Sequence, residues 1–191
     1  MRYVKWIFTI TIWVLVLAFL HYTLPQYDTA RVTDTYTKRV DFGENALFWA
    51  QPDVGNDGTL ANRDVFFIQT VKAKGRVMIY RNEDTGWGWP PYFKLDSSNL
   101  QAELTDMTST KEAPQWVVLR HYGWRNEFFS IFPNAVSVKP VAGPDVRIIP
   151  WMSIVILIVL FAAYWAIRVR WKRFRENRID PFYDEMTDGW G

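Results

Sequence analysis

Two long apolar runs, one near each end, limit what this chain can fold into more than any other feature. The second run, 148–167, contains no charged residue and is bracketed by Arg147 and Arg168. As a helix of about 20 residues rising 1.5 Å each, it would measure roughly 30 Å, the thickness of the hydrocarbon layer of a bilayer. The first run, 6–24, also lacks charge and reaches the lower length limit for a span. The sequence therefore predicts transmembrane helices at residues 1–24 and 148–168.

The first run could instead be a cleaved signal peptide, because a short basic start and an apolar run are its hallmarks. Cleavage requires small residues just after the run. The stretch His21-Tyr22-Thr23-Leu24-Pro25-Gln26 is bulky throughout. We therefore expect an uncleaved signal anchor.

The charges beside the two runs predict the topology. Arg2 and Lys5 precede the first run with no acid, and six cations opposed only by Glu176 follow the second. Lys and Arg are retained on the cytoplasmic side, so both termini are expected inside and residues 25–147 outside, in the periplasm of a bacterium. The cytoplasmic tail, 169–191, is basic and then acidic, ending with Asp184, Glu185 and Asp188. The candidate contacts to anionic lipid are Arg168, Arg170, Lys172, Arg173, Arg175 and Arg178.

The region between the runs has the composition of one modest globular domain. Residues 28–147 contain 14 basic and 15 acidic residues, which argues against a nucleic-acid surface. Cysteine is absent, so disulfides, thiolate nucleophiles and Cys-ligated metals are excluded. A domain of about 120 residues can still bury enough surface to be stable without them.

Alternating and β-branched residues predict that this domain is β-rich. Ser97 can cap a helix that places Leu100, Leu104 and Met107 on one face. Three strands, a helix and closing strands are the order of small OB-type barrels, although a two-layer α+β sandwich fits equally well. The fold class is thus α+β, with two transmembrane helices flanking an extracytoplasmic domain that could be an OB-like barrel with one helix. The predicted strands are 31–40, 65–71, 76–80, 115–121, 127–132 and 135–141, with a helical turn at 45–50 and a loop at 52–58.

The segment from Tyr80 to Lys94 is unusually rich in aromatic, glycine and proline residues. Proline lacks an N–H and glycine permits positive φ, so we predict an irregular loop of fixed shape. It could present rings to a sugar, a proline-rich peptide or a partner protein, with nearby charges fixing orientation. Alternatively, its rings could pack structurally or enter the headgroup layer. The candidate ligand- or partner-binding residues are Arg81, Glu83, Asp84, Trp87, Trp89, Tyr92, Trp124, Arg125 and Asn126.

Support for catalysis is thin. The histidines are His21, at the membrane edge, and His121, at a predicted strand end. An envelope hydrolase would have to use His121 with Asp84 or Glu83, and the sequence gives no sign that these groups converge. We therefore favour a protein that is not an enzyme, and we expect no catalytic residue, metal or cofactor.

Several long strings resemble a family of small two-span bacterial membrane proteins classified only as a domain of unknown function. They are YRNEDTGWGWPPYFKLDSSNLQA at 80–102, HYGWRN at 121–126 and SIFPNAV at 130–136, with HYTLPQ at 21–26, GPD at 143–145 and IPW at 149–151. The resemblance spans nearly the whole chain. It implies the architecture above and brings no activity, ligand or catalytic residue with it.

The leading hypothesis is a non-catalytic protein of the bacterial inner membrane that acts as an accessory, assembly or scaffold component of a membrane complex. Tethering at both ends restricts the domain to neighbours in the membrane plane. Its expected partners are membrane lipids and a membrane protein, with a homo-oligomer left open and no nucleic acid. The first alternative is a periplasmic glycan- or peptide-binding module that uses the aromatic loop, and the second is an envelope hydrolase.

Overall fold

The computed structural model describes residues 2–41 and 62–179. The helical turn at 45–50, the loop at 52–58 and the acidic end of the tail at 184–188 fall outside these ranges. Two compact units make up the chain, Met1–Ile149 and Pro150–Gly191.

Within residues 2–41 and 62–179, three helices and five strands follow one another, with α2 inserted between β3 and β4. The helices are α1 Arg2–Thr23, α2 Ser97–Asp106 and α3 Trp151–Phe174, which continues as a π-helical turn, Arg175–Ile179. The strands are β1 Gln26–Asp41, β2 Asn62–Lys72, β3 Val77–Asn82, β4 Trp116–Tyr122 and β5 Asn134–Val141.

The five strands form a closed barrel in the order β1-β2-β3-β5-β4. Strand β1 closes it because its first half pairs with β4 and its second half with β2, both antiparallel. Strands β3 and β5 meet in parallel through Arg81 and Asn134. The α+β class and the small barrel with one helix are confirmed, and the order of elements is the one predicted for an OB-type barrel. The two-layer sandwich is excluded because the sheet closes on itself.

Strand β1 begins at Gln26, five residues before the predicted start, because residues 26–31 pair with β4. A bulge between Val32 and Asp34 shifts the register against β2. Val32 lies in the core, whereas Asp34 is exposed. Regular alternation along the strand predicted at 31–40 would place Val32, Asp34 and Tyr36 on one face, and this expectation is wrong because the bulge reverses the alternation.

The barrel core is filled by aliphatic side chains from every strand and closed by α2. Leu100 and Leu104 are buried and Met107 packs against them, as the helical spacing predicted. The cap is Asp96 instead of Ser97, because the Asp96 carboxylate accepts the Asn99 N–H at 2.9 Å. The remaining buried core residues are Val32, Ile68, Met78, Tyr80, Val117, Leu119, Ala135 and Val138.

Two further predictions of local structure are wrong. Residues 127–132 form a turn closed by a bridge between Asn126 and Ile131, not a strand. Asn126 Oδ1 accepts the Phe129 N–H, and Ser130 has a φ of 52°, which no strand accommodates. The irregular segment begins at residue 83, since Tyr80 to Asn82 belong to β3.

Helices α1 and α3 are both long and apolar enough to cross a membrane. Every described side chain from Tyr3 to Leu17 is exposed, and burial begins only near Thr23. Helix α3 starts at Trp151, three residues later than the predicted segment, because Pro150 occupies the position before its first turn. It ends at Phe174, beyond the predicted limit of 168.

Candidate functional site

Five aromatic side chains lie on two loops that contact the end of α1, and we call them the aromatic collar. They come from the irregular segment 83–96 and from the turn after β4, two loops that meet at one end of the barrel. Backbone pairing joins this end to the helix, because the Gly123 N–H donates to the Tyr22 carbonyl at 2.9 Å. The collar consists of Trp87, Trp89, Tyr92, Phe93 and Trp124.

The tip of the collar is open to the surroundings. Trp87 is 85% exposed and Trp89 65% exposed. Trp87 meets Phe93 edge to face at 5.3 Å between ring centroids, while Trp89 stacks on Phe19 of α1 at 5.6 Å. Of the rings that the sequence singled out, Trp87 and Trp89 are therefore on the surface, and Trp89 lies along the apolar helix.

The base of the collar holds the helix end in place. The Trp124 indole N–H donates to His21 Nδ1 at 2.9 Å, and its ring meets Tyr22 edge to face. The Tyr92 hydroxyl donates to the Thr23 carbonyl at 2.6 Å. These contacts leave Tyr92 and Trp124 less free to bind a ligand than Trp87 or Trp89.

Two charged residues at the start of the aromatic segment are buried. Arg81 and Glu83 form an ion pair at 3.0 Å, and both are nearly inaccessible, at 3% and 5% exposure. Burial lowers the pKa of Arg81, and the tyrosines Tyr22 and Tyr122 beside it oppose that shift. This pair therefore stabilises the join between β3 and the loop, and it does not flank the exposed rings.

Asn134 connects this interior cluster to β5. Its side chain accepts the Glu83 N–H at 2.9 Å, and it donates to the Glu83 carbonyl and the Tyr122 hydroxyl at 3.1 Å each. The residue is fully buried. One amide thus satisfies three buried polar groups, which fixes the backbone where the aromatic segment begins.

Lys94, at the other end of the segment, is also buried. Its ammonium donates to Asn82 Oδ1 and, at 2.8 Å, to the Ala135 carbonyl. Burial lowers the pKa of Lys94 to about 7, with the charge of Asp84 opposing the shift and that of Arg81 adding to it. Asp84 itself is partly buried, and one of its oxygens has no hydrogen-bond partner in the described part of the chain.

Arg125 and Asn126 shape the turn after β4. The Arg125 guanidinium lies over the Phe132 ring at 4.4 Å and donates to two backbone carbonyls. Asn126 accepts the Phe129 N–H. Beyond them, Phe128 is 89% exposed and packs edge to face on Phe129. The turn therefore presents a second exposed aromatic pair.

His121 pairs with neither Asp84 nor Glu83. Its Nε2 lies 3.0 Å from Asp28 Oδ2, the same oxygen that accepts the Tyr80 hydroxyl at 2.5 Å and the Lys72 ammonium at 2.7 Å. Burial alone would raise the pKa of Asp28, but the hydrogen bonds from His121, Lys72 and Tyr80 hold it well below its usual range. Burial and the Asp28 charge raise the pKa of the Tyr80 hydroxyl. The cluster links β1, β2, β3 and β4.

The cleft beside Glu83 and Asp84 has a volume of about 150 Å³ and is also lined by Asp64, Asn82 and Ser97. Pockets for small-molecule ligands usually exceed about 300 Å³. Within residues 2–41 and 62–179, no three His, Asp or Glu side chains converge as a metal site would require.

Asp28, Tyr80, Lys94 and Asn134 were not predicted from the sequence as structural polar groups. Each of them lies far in sequence from a residue that it contacts. A local signal existed only for the pair Arg81 and Glu83, because residues two apart in a strand share a face. Asp28 and His121 are 93 positions apart, and only the pairing of β1 with β4 brings them together.

Fold and site together define an α+β protein in which a closed five-stranded barrel carries an aromatic surface at the end of an apolar helix. The chain belongs to the DUF1523 family, described as a protein of unknown function, which it matches over residues 1–175. A relative in Haemophilus influenzae (strain ATCC 51907 / DSM 11121 / KW20 / Rd), an uncharacterised protein, is 36% identical over 143 residues, or 75% of this chain and 77% of the relative. The resemblance to a family of unknown function is thus confirmed. No solved structure matches the chain.

Proposed function

We propose that this chain is a non-catalytic protein of the bacterial inner membrane, an accessory, assembly or scaffold component of a membrane complex. The observation that carries the proposal is the stacking of exposed Trp89 on Phe19 of α1. An exposed aromatic surface beside an apolar helix suits the membrane interface, where an indole buries its ring and keeps its N–H wet. The domain would then meet neighbours at the level of the headgroups.

The proposed topology has α1 and α3 spanning the membrane, both termini in the cytoplasm and the barrel in the periplasm. Support comes from the length and apolarity of the two helices and from the cations at the end of α3. Six exposed cations there can contact anionic lipid at the cytoplasmic surface, each contributing about 1 kcal/mol. They are Arg168, Arg170, Lys172, Arg173, Arg175 and Arg178.

The proposed partner surface consists of the two exposed aromatic pairs, Trp87 with Phe93 and Phe128 with Phe129. Protein interfaces are enriched in aromatic residues, and apolar rings that lie together on a surface often mark an interaction site. A barrel tethered at both ends can reach only proteins in the same membrane. The partner is therefore a membrane protein, with a second copy of this chain as one case of it.

A glycan- or peptide-binding module receives less support from the same geometry. Sugar recognition needs polar groups beside the stacking ring, because hydroxyls must be hydrogen-bonded to be desolvated. Arg81 and Glu83 are buried in their own ion pair, and Arg125 is occupied by Phe132 and backbone carbonyls. The exposed rings Trp87 and Trp89 are thus left with few of the predicted orienting groups.

In-cell photocrosslinking tests the proposal. A photoreactive amino acid placed at Trp87 or Phe128 should capture one defined membrane protein, identified by mass spectrometry. The matched control is the same probe at Lys74, an exposed residue of the β2–β3 turn. Capture of glycan or peptide from position 87 would favour the binding module, and recovery of monomers free of any crosslink from both positions would contradict the scaffold proposal.

A further inference from the structure

A cleft lies on the outer face of β4 and β5, and none of the aromatic collar residues is among those that line it. Its volume is about 300 Å³, and Tyr27, Val118, Arg120, Ser137, Lys139 and Val141 line it. The register places Tyr27, Arg120 and Ser137 opposite one another across β1, β4 and β5, with Val118 opposite Lys139 in the next row. Two cations and two hydroxyls therefore share one face with aliphatic side chains, and among the residues that the structure describes no acidic one lines the cleft.

Arg120 has donor capacity to spare. Its Nε–H is buried and has no hydrogen-bond partner in the described part of the chain. A buried N–H left unpaired is costly, and an anion hydrogen-bonded to the same guanidinium where it lines the cleft would offset that cost. Arginine is well suited to this task, because its planar guanidinium matches the oxygens of a phosphate.

The cleft also lies next to both helix connections in sequence. Tyr27 follows the last residue of α1 by four positions, and Ile148, which lines the cleft, precedes the first residue of α3 by three. If both helices span the membrane, these residues are close to the headgroup layer. An apolar wall from Val118, Val141 and Ile148 then suits a ligand with an apolar portion next to its charge.

We propose that this cleft binds the phosphate headgroup of an anionic phospholipid, with Arg120 and Lys139 contacting the phosphate and the aliphatic wall contacting the first acyl methylenes. A lipid is favoured over free phosphate because Val118, Val141 and Ile148 would contribute nothing to inorganic phosphate. This inference rests on the membrane location proposed above and is independent of the protein partner.

Native mass spectrometry of the full chain in detergent, titrated with dioleoyl phosphatidylglycerol or dioleoyl phosphatidylcholine, tests the inference. The wild-type chain should retain phosphatidylglycerol preferentially. Lys139→Glu should lower the affinity for the tightest retained lipid by at least about fivefold, which is the effect of one cation near a lipid phosphate. Lys139 is exposed, so the variant should fold, and Arg120→Ala provides a second, independent loss.

Two charge reversals serve as controls. Lys74→Glu lies on the β2–β3 turn, and Lys38→Glu lies on the second half of β1, both at exposed positions outside the cleft. Neither should change the affinity for the tightest retained lipid. Loss with either control to the same extent as with Lys139→Glu would overturn the assignment, as would equal retention of the two lipids or displacement by millimolar inorganic phosphate.

Membrane fractionation separates this inference from the proposed function. A chain that leaves the membrane fraction in alkaline carbonate would contradict the proposed location and this lipid site together. A chain that stays with the membrane and shows no preference for phosphatidylglycerol would overturn the lipid site alone.

Discussion

The indole ring of Trp89 stacks on the phenyl ring of Phe19, with centroids 5.6 Å apart and planes 11° apart. Phe19 lies four residues before the end of α1, or about 6 Å along the helix axis. The ring from the barrel therefore reaches back beside the apolar helix. Tyr92 and Trp124 hold the same helix end through hydrogen bonds to Thr23 and His21.

This stacking predicts that position 89 contacts lipid. The chain has no cysteine, so Trp89→Cys and Lys74→Cys can each carry a single nitroxide label. In bilayers, the label at 89 should be more accessible to oxygen than to a water-soluble nickel chelate, because oxygen concentrates in the hydrocarbon layer. The label at 74 should show the reverse order in the same power-saturation measurement. Equal profiles at the two positions would mean that the aromatic collar lies in water.

The fold was largely predictable because its signals are local. Alternation identified β2 to β5, and one-face spacing identified α2. The 127–132 strand was wrong because its β-favouring composition was outweighed by the turn that Asn126 stabilises, and the bulge after Val32 has no recognisable sequence signal. Local patterns cannot show which residues oppose each other across the barrel.

The candidate site was predicted less well for the same reason. The aromatic residues were conspicuous by type, but their exposure depends on where α1 ends relative to the loops. Arg81 and Glu83 looked like surface charges because charged residues are rarely buried unless paired. Their burial follows from a parallel contact between β3 and β5, which no local pattern reveals.

Asn134→Ala should destabilise the barrel by about 3 kcal/mol, since it removes three hydrogen bonds and leaves buried groups of Glu83 and Tyr122 unpaired. The measurement is urea unfolding of the full chain in detergent, followed by near-UV circular dichroism. Asn126→Ala is the matched control, because it removes one exposed bond and should cost less than about 1 kcal/mol. Similar losses for the two variants would show that the Asn134 network contributes little.

Asp28→Asn should lower the free energy of unfolding at pH 7 by about 3 kcal/mol, because the amide replaces a carboxylate that pairs with Lys72 and accepts from Tyr80. The pH dependence should change as well. The folded pKa of Asp28 is lowered, so its contribution is complete above the unfolded value of about 3.9 and is lost as pH falls towards the folded pKa.

Stability measured at several pH values between 2 and 7 should therefore fall less steeply in Asp28→Asn than in the wild-type chain. Asp34→Asn, an exposed change on the same strand, should leave both the magnitude and the slope nearly unchanged. An acid profile of Asp28→Asn parallel to the wild type would show that the carboxylate is not held in its charged form.

Lys94 should make the free energy of unfolding depend on pH in the neutral to alkaline range, whereas Asp28 acts in the acid range. Its folded pKa is lowered to about 7, against about 10.4 in an unfolded chain. Between these values the unfolded chain binds a proton that the folded chain does not, so the free energy of unfolding should rise with pH. The slope is at most about 1.4 kcal/mol per pH unit for one group. Below pH 7 the lysine is charged in both states, and the whole cost of burying it remains.

Lys94→Met should abolish that rise, because methionine fills similar space without a titrating group. Asn82 Oδ1 and the Ala135 carbonyl then lose their donor, so the variant is compared by slope and not by absolute stability. Urea unfolding in detergent at pH 7.5, 8.5 and 9.5 measures the slope, with Lys74→Met as an exposed control that should keep the wild-type value. A wild-type curve that is flat over this range would place the proton on Lys94 in the folded barrel, whereas a Lys94→Met curve that still rises would assign the slope to another group.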